Sequence, residues 1–279
     1  MESLGEIMDK MMTHMQASDS ALKICRNCKT PKEAIVEAFG RKFKVPVMCK
    51  CEEEKYNRQK EEAEKRERIM RLERLRNYSL MDAKFEQCTF ENFEVNEMNK
   101  QYFNLAKKYV EKFDEIKKQN LGLLLFGAPG TGKTYLAFCI ANELLNRLVP
   151  VIAISSIGLL NRIKETYKRY GSEGEVEIIN SLKNASLLIL DDLGAENNTP
   201  WAKEKIYEII DSRYRDGKPL IITTNLTLDQ LREKMTGEDG IYRTYDRIIE
   251  MCTPIEIKGK PRRIEAAKGK EKLLRELLK

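Results

Sequence analysis

The sequence predicts an α/β protein: a domain with a parallel sheet flanked by helices, preceded by a small four-cysteine module and a charged linker helix. Three observations carry this. From about Phe85 onward, short apolar runs alternate with helical patterns; one of those runs feeds into a glycine-rich loop, Gly127–Thr134; and Cys25, Cys28, Cys49 and Cys51 crowd the N-terminal region. Strands separated by helix-length segments must cross over the sheet, and crossovers give parallel pairing with helices on both faces.

Taken in chain order, residues 1–20 place Leu4, Met8, Met11 and Met15 at helical spacing, a short Met-rich amphipathic segment that packs on its neighbours or docks on a partner. Cys25, Cys28, Cys49 and Cys51 then read C-x2-C-x20-C-x-C, and four thiolates are a closed ligand set for a structural Zn²⁺. The last pair is tighter than C-x2-C, and an iron–sulfur cluster or unliganded thiols are the alternatives. Glu52–Arg76 holds eight Glu, nine Lys/Arg, no Gly and no Pro, so a long exposed helix laced with i,i+4 opposite-charge pairs is expected there. Strands are expected at Leu121–Phe126, Val151–Ser155, Leu187–Leu190, Leu220–Thr223 and Pro254–Ile257, and helices at Met98–Lys118, Thr134–Leu148, Ile157–Arg169 and Pro200–Arg215. The resulting organisation is 1–51, 52–84 and 85–279.

The loop GAPGTGKT comprises Gly127, Ala128, Pro129, Gly130, Thr131, Gly132, Lys133 and Thr134, with Tyr135 opening the helix beyond it. Placed between strand and helix, G-x4-G-K-[ST] wraps phosphates with backbone N–H groups, and the helix N-terminus adds its dipole. Lys133 is expected on the β- and γ-phosphates of ATP and the Thr134 hydroxyl on Mg²⁺. A second apolar run ends in Asp191 and Asp192, at the strand end where ligands bind in open α/β sheets. Asp191 suits Mg²⁺ and Asp192 suits polarising the attacking water; Glu196 is a second carboxylate there, read mainly as a solvated or capping group. Thr223, Thr224 and Asn225 end a third strand beside the same crevice, where the Asn225 amide can hold that water or contact the γ-phosphate.

Four segments, GAPGTGKTYLAFCIANELL, LLILDDLGAE, TPWAKEKIYEIIDSRYRDGKPLIITTNL and YDRIIEMCTPIEIKGKPRR, together resemble the DnaC/DnaI-type bacterial helicase loaders. These are AAA+ ATPases related to the IstB-type transposition helper ATPases. The resemblance covers roughly residues 85–265. It implies ATP hydrolysis in an oligomer, a replicative helicase as partner, single-stranded DNA, and a zinc module at the N-terminus that docks on the helicase. Lys133, Thr134, Asp191, Asp192 and Asn225 match the family's nucleotide site. Arg247 matches its arginine finger, acting on a neighbouring subunit's ATP, with Arg243 one helical turn away as companion; surface arginines are the plainer alternative. Arg262 or Arg263 matches a sensor-2 arginine. In SSIGLLNRIKETYKRYGSEG, DNA contact falls to a choice among Ser155, Ser156, Arg162, Lys164, Lys168 and Arg169 with Tyr167 and Tyr170, a set that reads equally as a solvated helix face. The competing function is a transposition helper ATPase acting on a transposase and duplex DNA.

Composition closes off other classes. The one histidine, His14, lies in the Met-rich N-terminus, so Ser-His-Asp hydrolysis and His-ligated zinc hydrolysis lack an imidazole in the folded site. The net charge of +6 is accounted for by Lys258–Lys279, with nine Lys/Arg and three Glu, a tail that touches nucleic acid or is simply solvated. No stretch approaches the ~20 apolar residues of a membrane span, and MESLGEIMDK lacks the basic start of a secretory leader. A cytoplasmic protein is expected, with Cys88, Cys139 and Cys252 as core thiols.

Overall fold

The computed structural model describes residues 22–279 other than 39, 170, 171, 238, 260, 262–269, 271–273, 277 and 279. His14, the Met-rich segment, Tyr170, Arg262, Arg263 and most of the basic tail lie outside the described residues, as do the side chains of Lys168 and Arg169. Two compact units emerge, Met1–Met70 and Arg71–Lys279.

In the first unit, β1 (Glu33–Ala38) and β2 (Arg41–Pro46) form an antiparallel hairpin that pairs Glu33 with Pro46 and Ala38 with Arg41. Gly40 sits in its turn at φ 70°, a conformation that costs a residue without a Cβ little. The hairpin was not expected: EAIVEAFGRKFKVP mixes charges into the alternation and gives only a short apolar face. The helix α1 (Lys50–Tyr78) contains the expected charged helix and has no buried residue, so its stability rests on propensity and charge pairs. The last turns of α1, from Arg71, belong to the second unit, and there Leu72 and Leu75 pack against that unit's own core.

The second unit is built on a five-stranded parallel sheet in the order β4 (Val151–Ser155), β5 (Leu187–Asp191), β6 (Leu220–Thr224), β3 (Gly122–Phe126), β7 (Cys252–Glu256). Each expected strand is present within two residues of its expected bounds. Strands β3 to β6 are buried along nearly their whole length, which is why they read as mainly apolar runs, whereas the edge strand β7 leaves Thr253, Pro254 and Glu256 exposed. One face carries Leu123, Leu125, Ala153, Ile189 and Ile221 against α2 (Lys100–Glu111) and α4 (Lys133–Asn146). The other carries Leu124, Ile152, Leu188, Leu190 and Ile222 against α5 (Ser156–Arg169), α7 (Pro200–Arg215) and α9 (Arg243–Met251). The single helix expected at Met98–Lys118 is two, α2 and α3 (Phe113–Lys118), broken where Lys112 takes φ −102°, ψ 21°. Two helices were not expected, α6 (Ser172–Asn184) and the short α8 (Leu228–Met235), which Thr227 and Gln230 start with a reciprocal capping box.

One buried group holds this unit together in a way the sequence did not suggest. Arg213 on α7 is fully buried. Its guanidinium donates to the Leu182 and Ala185 carbonyls at 2.9 and 2.8 Å and to the Pro219 carbonyl at 2.6 Å. It thereby ties the end of α6, the entry to β5 and the entry to β6 to one side chain. Burial lowers its pKa to about 10, which still leaves it a cation at neutral pH.

Candidate nucleotide site and cysteine cluster

The strand order creates a crevice at the C-terminal ends of β3 and β6. The chain leaves β3 through α4 on one face and leaves β6 towards α8 and α9 on the other, so two neighbouring loops part. Residues 127–134 occupy one side. Gly127, Gly130 and Gly132 take φ of 136°, 81° and 99°, and a Cβ on Gly127 would lie 2.8 Å from the Ile257 carbonyl oxygen. Glycine is therefore required here on two counts, conformation and contact.

Lys133 starts α4 and is buried, with Nζ donating to the Gly127 and Ala128 carbonyls at 2.9 and 2.8 Å and to Asn225 Oδ1 at 2.8 Å. The same Asn225 amide donates from Nδ2 to Asp192 Oδ1 at 2.7 Å. One side chain thus links the loop lysine to the second aspartate across the crevice. Asp191, also buried, accepts from the Thr223 hydroxyl at 2.6 Å, and that hydroxyl oxygen accepts from the Asp192 amide at 2.9 Å. Asp192 itself adopts φ 55°, which turns the chain sharply at the strand end and carries its carboxylate out to Asn225.

These groups face a cavity of about 640 Å³, lined also by Thr134, Tyr135 and Ser155. Its volume is in the range of small-molecule sites. The loop glycines and buried Lys133 suit a polyphosphate, and Thr134 and Asp191 are oxygen donors of the kind a hard divalent cation takes. A third wall comes from Asp82, Phe85 and Cys88, which sequence reasoning missed. Their segment is fixed by Asn142 on α4, whose buried amide donates to the Phe85 and Cys88 carbonyls at 2.9 Å each, and by Phe85 stacking on Phe138 at 4.0 Å. Burial, with the nearby Asp191 carboxylate, pushes the Cys88 thiol up to about 11, and burial likewise raises Cys139 and Cys252. All three are core thiols, as expected.

Glu196 is not solvated. It is buried and accepts from the Ser156 hydroxyl at 2.7 Å and the Gly194 amide at 2.9 Å, so it organises the loop after β5. Ser156 is consequently fully buried with its hydroxyl engaged, and it offers nothing to a DNA strand. Ser155 caps the start of α5 by accepting from the Gly158 amide, and Lys164 lies 4.8 Å over the Trp201 ring. Arg243 and Arg247 share α9 as expected but in different settings. Arg243 is exposed and pairs with Asp239 at 2.8 Å; Arg247 is mostly covered and pairs with Asp211 at 2.8 Å.

In the first unit the sulfurs of Cys25, Cys28, Cys49 and Cys51 all lie within 4.8 Å of one another, with Cys51 3.6, 3.6 and 3.3 Å from Cys25, Cys28 and Cys49. Four sulfurs at about 2.3 Å from one Zn²⁺ define a tetrahedron with edges of about 3.8 Å, so the cluster fits. The turn that brings Cys25 and Cys28 together is closed by the Lys29 amide donating to the Cys25 carbonyl at 3.0 Å, with Lys29 at φ 59°. The Thr30 hydroxyl and the Cys51 amide draw the Cys28 thiol down to about 5, whereas burial pushes Cys49 up to about 12. Independently of these shifts, the geometry of the four sulfurs is what fits a shared cation, which would take all four as thiolates.

Residues 46–269 match the family described as IstB-like ATP binding protein. The chain belongs to that family. It is 33% identical over 187 residues to the replicative helicase loader DnaC of Escherichia coli (strain K12), covering 66% of this chain and 72% of the relative. It is 28% identical over 254 residues to the phage-like element PBSX protein XkdC of Bacillus subtilis (strain 168), covering 87% and 85% of the two chains. A crystal structure of DnaI superposes with a TM-score of 0.55 at 28% identity, over 65% of this chain and 94% of that one. The resemblance and the α/β fold class expected from sequence are borne out. The chain is an ATP-binding AAA+ protein of the DnaC-like loader type.

Proposed function

We propose that this protein hydrolyses ATP in an oligomeric assembly to load the replicative hexameric helicase onto single-stranded DNA in the cytoplasm. The observation that carries the catalytic part is the link Lys133–Asn225–Asp192, which joins the phosphate loop to the carboxylate beyond β5. With ATP bound, Lys133 turns from the Gly127 and Ala128 carbonyls to the β- and γ-phosphates, and the residue 127–134 amides surround them. Thr134 and Asp191 would hold Mg²⁺, which would supply charge neutralisation at the phosphates. Asp192 polarises the attacking water, and Asn225, released from Lys133, holds that water or a γ-phosphate oxygen in line. Arg247, with Arg243 beside it, completes a neighbouring subunit's site.

The three-part organisation follows from this reading. Residues 1–51 carry a structural zinc and grip the helicase, 52–84 connect, and 85–279 form the motor. The likeness to DnaC and DnaI supports the helicase as client, and the cysteine cluster favours it over the transposition helper reading that the family name also admits. The test is a pull-down from host lysate with Asp192→Asn and ATP. The helicase should be retained, and lost on replacing Cys25 and Cys28 with Ser; recovery of a transposase without helicase would contradict the loader reading and leave the ATP site intact.

A further inference from the structure

Arg247 is held by its own subunit in a setting unlike that of Arg243. Its Nη2 is 2.8 Å from Asp211 Oδ1, and its guanidinium carbon lies 4.8 Å from the Tyr207 ring centre and 5.5 Å from that of Tyr214. All three partners are on α7. The side chain is 22% exposed, against 57% for Arg243. The Nη1 atom is buried and has no hydrogen-bond partner among the described residues. Asp211 is itself shared, its other oxygen taking Arg215 Nε at 2.9 Å, and the Tyr214 hydroxyl is fixed on Glu250 at 3.0 Å.

The cage is therefore charge-paired without being hydrogen-bonded: Asp211 Oδ1 is buried and, like Arg247 Nη1, has no hydrogen-bond partner among the described residues. A carboxylate and two ring faces hold the cation, while one buried donor is left without an acceptor, an arrangement that weakens the held state. A γ-phosphate group carries more charge than a shared carboxylate, and its oxygens can take both ends of the fork. Arg243, on an exposed ion pair, meets no such restraint.

We propose that Asp211 is a latch. In a lone subunit it withholds Arg247, and the γ-phosphate of a neighbour's ATP draws the guanidinium off α7, so the trans site assembles only when a loaded neighbour is present. This rests on the reading that Arg247 acts in trans. It assigns Asp211, Tyr207 and Tyr214 to control of that arginine rather than to catalysis.

The test is ATPase activity per subunit as a function of protein concentration, with the full chain. Asp211→Asn is expected to reach half-maximal activity at about five-fold lower concentration than wild type, at a similar plateau. Tyr207→Leu, which keeps the Asp211–Arg215 pair, should shift the midpoint in the same direction by less, and serves if Asp211→Asn does not fold. An unshifted or raised midpoint in a variant that melts like wild type overturns the latch. Mixing Arg247→Ala subunits with wild type separates the two claims. Poisoning beyond simple dilution upholds the trans role whatever Asp211 does, and its absence removes the basis of the latch. Adding Arg247→Ala to Asp211→Asn should abolish the shift.

Discussion

Asn225 shows what a single side chain contributes here. Its oxygen reads a cation and its nitrogen an anion, so only an amide satisfies both Lys133 and Asp192 at once. Asn225→Leu should leave ATP binding within a few-fold of wild type and lower phosphate release by about 10²-fold, since the lost donor acts on charge that develops during hydrolysis. Fluorescent-nucleotide titration beside a phosphate-release assay checks this; equal losses in both would place Asn225 in binding alone. Arg213 is the counterpart for stability. Arg213→Met removes the donor to three carbonyls at once and should cost about 3–5 kcal/mol in urea unfolding, since it breaks a buried charged network. A cost under about 1 kcal/mol would mean that water replaces the guanidinium. The sequence made Lys133, Asp191 and Asp192 legible because their chemistry is written in neighbouring residues. Asn225 was a weak signal, because asparagine after a strand is usually a turn former. Arg213 was invisible, because its three acceptors come from separate segments, and an arginine two residues from another on a polar helix reads as solvated.

The elements were legible to the extent that burial is two-sided. Strands β3 to β6 are mainly apolar runs, and α1 declares itself through propensity alone. The hairpin β1–β2 has neither signal, and the Lys112 break interrupts a helical pattern without a Gly or Pro to mark it. Two elements carry tests. In the phosphate loop, Gly127→Ala places a Cβ against the Ile257 carbonyl at φ 136°, so it should abolish nucleotide binding while the sheet retains a cooperative melt. Unimpaired ATP binding by that variant would show that the loop does not keep this conformation with ligand. In the cysteine module, metal analysis of the purified chain should find one zinc per subunit, lost in Cys49→Ser or on chelation. Iron with visible absorption, or a metal-free wild type, would contradict the zinc assignment.

Across the molecule, one helix, α9, carries two arginines in opposite circumstances, one exposed and one mostly covered against α7. The sequence located both arginines but could not rank their availability, which depends on α7 packing alongside α9. Among the described residues no helix is long and apolar enough to cross a membrane. On the proposed function, ATP turnover by this protein places a helicase ring on DNA. The most direct measurement uses the host's purified replicative helicase and a circular single strand carrying a short forked duplex, scoring strand displacement. With this protein and ATP, displacement should begin, and Lys133→Ala should not support it. No displacement above helicase alone, from a protein that hydrolyses ATP normally, would contradict the account.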